Sequence, residues 1–253
     1  MDVCFIAPTT RLEEYATAST HHLVLAHIYE QDETYRAFYR ERVRQGDFVI
    51  LDNSAYELQE SVNVQRLLTC AEDLNPTAVF LPDSRFNTKR TIELAKEAKE
   101  VLGGKGWKLF GVPQGKDLSS ILECYHWLGE QDWIDGFGFY EEIGEVAGMA
   151  CRNDFLRYIE ENDYIWGDKY YHLLGMEEDL TQIAKLAKHG WVNSIDSVKA
   201  IVYGLNAILL TPRGTDVPYP HRPKDYFQKE PDELLDIIIR SNMRQVLEWA
   251  QSS

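Results

Sequence analysis

The sequence predicts a single (β/α)8 barrel of the TIM type with a C-terminal helix, on three observations. Eight short β-rich runs recur along the chain, and stretches of helical spacing lie between them. The chain's 253 residues, 44% of them hydrophobic, also suffice to bury one large α/β core. Strands that alternate with helices pair in parallel through crossover connections, and eight of them favour closure over an open doubly wound sheet.

The β-rich runs lie at residues 3–7, 22–27, 48–51, 78–81, 109–112, 134–139, 171–174 and 192–195. Each is a short apolar or aromatic stretch of the kind that suits a strand buried on both faces. Helical spacing marks residues 34–44, 64–73, 88–102, 118–128, 154–161, 180–189 and 197–203. Punctuation gives several of these boundaries a local cause: Asn87-Thr88 opens one helix, Gly103-Gly104 closes it, and Gly190 follows another. The span from residue 7 to residue 22 is too short for a full crossover helix, so that helix is short or absent, and an open sheet is the competing arrangement. After a Pro-containing loop at 212–231, apolar periodicity over 233–249 predicts a long helix packed on the barrel wall. No internal repeat or interdomain linker interrupts the series, so residues 1–253 are expected to form one catalytic domain.

The chain carries 41 acidic against 26 basic side chains, a formal net charge of −15, which opposes indiscriminate binding to phosphate backbones. A nucleic-acid partner would need a local basic patch. Arg213, His221, Arg222 and Lys224, interleaved with Tyr219 and Tyr226, offer one, with a solvated loop as the plain alternative. The four cysteines, Cys4, Cys70, Cys124 and Cys151, are scattered without metal-ligand spacing, which predicts free, buried thiols and no metal site. No apolar run approaches the roughly 18 residues that span a bilayer, and the N-terminus lacks a secretory pattern, so a cytoplasmic location is expected. Neither a G-x-G-x-x-G fingerprint after the first strand nor a P-loop is present, and no cofactor is expected.

Three acids stand just where apolar runs stop: Asp52 after Val-Ile-Leu, Asp83 after Val-Phe-Leu-Pro, and Asp196 after Asn-Ser-Ile. In a parallel barrel the C-terminal strand ends share one face, so these carboxylates are candidates for one pocket. An Asp at such a position also caps turns and helices, which is the competing explanation for Asp52 and Asp83. Gln114, between Gly111 and Gly115, adds an amide that both donates and accepts. Gly136, Phe137, Gly175 and Met176 add small or apolar lining, so the set suits a slot for a flat, polar ring. The acidic run Glu177-Glu178-Asp179 at a predicted helix start complements the helix dipole and argues against phosphate binding there.

In order, these motifs resemble the tRNA-guanine transglycosylase superfamily, whose members exchange guanine for a 7-deazaguanine on a (β/α)8 barrel. Asp52-Asn53-Ser54-Ala55-Tyr56-Glu57 is similar to the family's Asp-Ser-Gly-Gly-Phe-Gln segment, and Leu81-Pro82-Asp83 to its base-recognising Asp segment. Gly111-Val112-Pro113-Gln114-Gly115 is similar to Gly-Ile-Val-Gln-Gly, Asp135-Gly136-Phe137-Gly138 to the Gly-Gly-Leu contact, His172-Leu173-Leu174-Gly175-Met176 to Leu-Met-Gly-Val, and Ile195-Asp196-Ser197-Val198 to Phe-Asp-Cys-Val. The resemblance implies Asp196 as nucleophile and Asp52 as general acid/base. It implies base recognition by Asp83 and Gln114, with Asn53, Ser54, Gly115, Gly136, Phe137, Gly175 and Met176 around the ring.

The zinc site of the tRNA enzymes is missing, and Asn53, Ala55 and Glu57 depart from their pattern. The resemblance is therefore nearest to the zinc-free phage DNA-guanine transglycosylases, which insert a 7-deazaguanine such as preQ0. It implies a covalent Asp–sugar intermediate, DNA or alternatively tRNA as partner, and the host cytoplasm for a phage-encoded protein. Base flipping would be required, with Arg213, Arg222 and Lys224 on phosphates and Tyr219 or Tyr226 stacked on bases. Two rivals are an N-glycosidic hydrolase using the same acids and a non-catalytic barrel that binds a deazapurine or nucleic acid.

Overall fold

A computed structural model describes residues 1–176 and 179–252. All eight expected strands form: β1 Asp2–Phe5, β2 His21–Leu25, β3 Phe48–Asp52, β4 Ala78–Phe80, β5 Lys108–Gly111, β6 Gly136–Tyr140, β7 Tyr170–Leu174 and β8 Ser194–Ser197. They share one parallel sheet in the order β1-β8-β7-β6-β5-β4-β3-β2. Helices follow the strands, and a C-terminal helix, Glu233–Gln251, completes a (β/α)8 barrel. Val49, Ile50, Leu51, Val79 and Phe80 are wholly buried, as expected for parallel strands covered on both faces. The first crossover is three short turns, Thr9–Arg11, Leu12–Tyr15 and Ala16–Ala18, in place of a long helix. Among the described residues no helix is long and apolar enough to cross a membrane. By contact density the chain divides into two compact units, Leu23–His172 and Met1–His22 with Leu173–Ser253.

In the unit Leu23–His172, side-chain caps start the helices where the sequence places polar residues. Asn63 accepts from Arg66 N (3.0 Å) ahead of Val64–Leu74, and Asn87 accepts from Arg90 N (3.1 Å) ahead of Thr88–Leu102. Asp117 and Ser120 form a reciprocal capping box at the start of Leu118–Gly129. Small residues let helix and strand approach: a Cβ on Gly111 would lie 2.9 Å from Leu128 side-chain carbons. Register then fixes which residues share a level. Leu51 pairs with Val79, Phe80 with Phe110, and Phe110 with Gly136, so Asp83, Gln114 and Tyr140 all lie three or four residues beyond one common layer.

In the other unit, β1 and β8 pair with Cys4 opposite Asp196. Helix Lys199–Leu205 lies so close to helix Glu233–Gln251 that a Cβ on Gly204 would fall 2.4 Å from an Ile239 side-chain carbon. The loop before the last helix is tied down: Tyr226 Oη donates to Ile6 O (2.6 Å), Thr9 Oγ1 donates to Phe227 O (2.9 Å), and Trp249 Nε1 donates to Pro212 O (3.3 Å). The helix expected over 180–189 is instead a 3-10 turn, Leu180–Gln182, and a short helix, Ile183–Leu186. Of the acidic run before it, Glu177 and Glu178 lie outside the described residues, and Asp179 accepts from Thr181 N (3.0 Å).

Candidate active site

The most organised polar cluster in the unit Leu23–His172 is centred on Asp83, just past β4. Its Oδ1 accepts from Asn53 Nδ2 (2.8 Å) and its Oδ2 from Gln114 Nε2 (2.7 Å). Its backbone N donates to Ser61 Oγ (2.9 Å), and that hydroxyl donates to Asp83 O (2.6 Å). Both amides are themselves fixed. Asn53 Nδ2 also donates to Leu81 O (2.6 Å) and Asn53 Oδ1 accepts from Ala55 N (2.9 Å), while Gln114 Oε1 accepts from Phe86 N (3.0 Å). The carboxyl is therefore aimed by two side chains that cannot rotate without breaking backbone contacts. Burial pushes its pKa up to about 6, against the lowering effect of the hydrogen bonds from Asn53 and Gln114. A carboxyl poised near neutrality in a rigid cradle is suited to moving a proton.

Asp52, at the end of β3, joins this cluster through Asn53. Its Oδ2 accepts from Ser54 N (2.7 Å), so the turn-capping role is realised. Ser54 is fully buried at φ 59°, and its Oγ accepts from His27 N (3.2 Å). Gln59 and Phe86 also have positive φ, at 62° and 59°. Three non-glycine residues in the left-handed region along two loops next to one carboxyl mark a site whose backbone is held by its surroundings at some cost. The same loops expose Tyr56, Leu58 and Phe86, and Arg85 lies over the Phe86 ring (4.8 Å) while pairing with Glu142 (3.2 Å).

The other unit holds a second polar group around β8. Asp196 Oδ1 accepts from Gly175 N (3.0 Å), and Gly175 has φ 74°, the conformation a glycine tolerates best. Lys199 Nζ donates to Met176 O and lies over the Tyr219 ring (5.1 Å), while Ser197 Oγ accepts from Lys199 N (2.8 Å). Burial, then the Asp196 carboxylate, pushes the Cys4 thiol well up. Burial likewise pushes Cys70 up to about 11 and Cys124 up to about 12, so none of these three is a thiolate at neutral pH. Among the described residues no group of three His, Cys, Asp or Glu side chains is placed to hold a metal ion.

The other expected site residues are placed as follows. Gln114, expected to read a ligand, holds Asp83 through Nε2 and accepts from Phe86 N through Oε1, so both ends of its amide are engaged. Gly115 packs against a helix start, where a Cβ would lie 2.4 Å from Ile121 N. Gly136 and Phe137 open β6, where the expected run placed them in its middle. Gly136 is pressed against Tyr170 O and Phe110, and Phe137 is wholly buried beside Tyr125 (ring centroids 4.7 Å). Met176 is buried and offers its carbonyl to Lys199. Tyr226 is buried with its hydroxyl spent on Ile6 and cannot stack on a base. Arg222 lies over Tyr226 and Phe227, whereas Arg213 and Lys224 are exposed. Tyr140, which the sequence reading missed, closes β6 at the level of Gln114. The pattern Phe-Tyr-Glu-Glu at an apolar run's end is the signal that marks it.

Fold and site together define a parallel (β/α)8 barrel whose strand ends carry a buried, near-neutral carboxyl. Among solved structures of similar fold is N-acetylneuraminate lyase from Mycoplasma synoviae. Its crystal form II matches at 10% identity and TM-score 0.54 over 97% of this chain and 98% of that one; form I matches at 10% and 0.54 over 96% and 97%. The Clostridium difficile protein CdNal in complex with mannosamine matches at 12% identity and TM-score 0.48, over 76% of this chain and 62% of that one, so this chain spans less than two thirds of its length. No protein-family model matches the chain, and no curated protein matches it.

At these identities the likeness is one of fold. It nonetheless corrects the expectation drawn from the motif series: the Mycoplasma synoviae barrel that this chain matches over nearly its full length is an N-acetylneuraminate lyase. Base exchange through a covalent Asp196–sugar intermediate, a DNA or tRNA partner, a 7-deazaguanine such as preQ0 and a phage origin fall with it, as do the two rival nucleoside or nucleic-acid readings. The physical reason is that parallel barrels of many chemistries draw their site residues from the C-terminal ends of several strands, so an ordered series of short polar motifs follows the fold more than the chemistry.

Proposed function

We propose that this chain is a barrel enzyme of the lyase type, acting on a small hydroxyl-bearing molecule, with Asp83 as the group that takes and returns the proton. The observation that carries this reading is the Asp83 carboxyl, pushed up to about 6 by burial and clamped between Asn53 and Gln114. At neutral pH most of it is ionised and ready to accept a proton, yet basic enough to take one from a hydroxyl as a bond breaks. In a retro-aldol step, the hydroxyl proton passes to Asp83 and the O–H pair becomes the new C=O. The adjacent carbon–carbon bond then breaks, and its pair passes into an enolate that is later protonated on carbon. A barrel fold shared with N-acetylneuraminate lyases is consistent with such a reaction.

On this reading Asp52, Asn53 and Ser54 position Asp83, and residues 1–253 work as one catalytic domain. Four unpaired thiols, three of them buried, support a cytoplasmic location. The test is to incubate the protein with N-acetylneuraminate and a panel of hydroxylated 2-oxo acids, and to follow release of the 2-oxo acid fragment. Turnover of at least one compound is expected, with Asp83→Ala slower by about 10²–10⁴-fold, the usual worth of a positioned acid/base group. No turnover across the panel, or an Asp83→Ala rate equal to wild type, would overturn the reading.

A further inference from the structure

The Tyr140 hydroxyl is buried, and among the described residues nothing hydrogen-bonds to it. Leaving a buried hydroxyl unpaired costs about 1–3 kcal/mol, and such groups in a folded chain call for an explanation. Packing alone supplies none, since phenylalanine fills the same space without that cost. The residue closes β6, at the level the Gln114 clamp occupies beyond β5. Charged groups act on it in both senses: Glu142 and Asp83 oppose loss of the phenol's proton, and Arg85, which pairs with Glu142 at 3.2 Å, favours it. Burial, followed by Glu142, keeps the phenol protonated, so it is an O–H donor and not a base.

We propose that the Tyr140 hydroxyl is a substrate-binding donor of the Asp83 site, taking a carbonyl or carboxyl oxygen of a ligand whose own hydroxyl faces Asp83. Such a site selects compounds in which one carbon separates the acceptor-bearing carbon from the hydroxyl-bearing one, that is, β-hydroxycarbonyl compounds and β-hydroxy acids, the arrangement the retro-aldol step needs. The two groups make complementary demands: Asp83 needs a donor, Tyr140 needs an acceptor, and a ligand offering both satisfies each at once. The inference rests on the reading of Asp83 as the reacting carboxyl and extends it to the class of molecule bound.

The test is Tyr140→Phe, which removes one oxygen. Without ligand its Tm should equal that of wild type or exceed it by about 2–4 °C per kcal/mol relieved; a fall of several degrees would show a structural partner for the hydroxyl and overturn the proposal. Binding of 4-hydroxy-2-oxoglutarate, glycerate and N-acetylneuraminate is then compared by ligand-observed NMR. At least one should bind wild type and lose about tenfold or more in affinity in Tyr140→Phe, as the loss of one hydrogen bond predicts. If none binds wild type, or all bind both proteins equally, the proposal fails. Tyr140-dependent binding without turnover would sink only the lyase reading, whereas turnover with equal binding would sink only the role of Tyr140.

Discussion

At the residue scale, Asp83 sets the behaviour of the site with pH. An isolated aspartate titrates near 3.9, whereas burial brings this one up to about 6. Its ionisation is therefore harder in the folded chain than in the unfolded one. The stability it contributes is fully present below the unfolded value and is lost as pH rises through about 6, for a total on the order of 3 kcal/mol. Asp73 and Asp236, held low by hydrogen bonds from Arg40 and Arg240 against the effect of burial, behave oppositely and lose their contribution only in more acidic solution. The cleanest measurement is the difference in unfolding free energy between wild type and Asp83→Asn from pH 4.5 to 8. That difference should move against wild type as pH rises from 4.5 and level off just above about 6. Activity that needs the ionised carboxylate should rise through the same pH, and a flat difference curve together with a rate indifferent to pH there would refute the buried-acid account.

At the element scale, burial patterns decide what forms and neighbours decide where it stops. Every strand was visible in the sequence, because a parallel strand covered on both faces must be apolar throughout. The ends were less visible. Strand β1 stops at Phe5, short of the expected Ala7, since Ile6 N makes its last bond to Ser197 O, where β8 itself ends, and Pro8 has no N–H to continue. Strand β6 runs later than expected because Ile134 is turned back onto Gln131 and Asp135 is bonded to Leu109 at the strand's entry. The start moves by two residues and the end by one, which brings Tyr140 into the strand as its last residue, a boundary no local propensity reveals. Residues 180–189 read as one helix, but Lys188 N and His189 N bond three residues back, tightening the chain into the turn toward β8.

The acids and Gln114 were legible because polar side chains at the ends of apolar runs stand out; the clamp that Asn53 and Gln114 form on Asp83 was not, since it depends on distances between strands. In the unit that holds the C-terminal helix, Asn242 does comparable work. Its Oδ1 accepts from Leu210 N (2.7 Å) and its Nδ2 donates to Ile208 O (2.8 Å) and Ala200 O (3.2 Å), all within a fully buried side chain. Asn242→Ala leaves three buried backbone groups without this partner, so a loss of about 2–4 kcal/mol is expected in urea unfolding. A change below about 0.5 kcal/mol, the ordinary range for surface substitutions, would mean water replaces the amide without penalty.

At the scale of the whole molecule, the excess of 41 acidic over 26 basic side chains leaves a net charge of −15, and the sign of the salt response follows from which electrostatic effect is larger. Many of the ion pairs are exposed: Arg66 with Glu30, Arg40 with Asp73, and Arg90 with Glu93 and Glu97. Exposed pairs contribute about 0–1 kcal/mol each, and salt weakens them. Self-repulsion among the surplus acids acts at longer range and is screened more completely, because the Debye length falls from about 30 Å at 0.01 M to about 8 Å at 0.15 M. Relief of repulsion should therefore exceed the loss of pairing, and raising NaCl from about 0.01 M to about 0.15 M should raise Tm by about 2–4 °C for each kcal/mol of net relief. A Tm that falls over that range would show that the paired charges, and not the acidic excess, dominate the molecule's electrostatics.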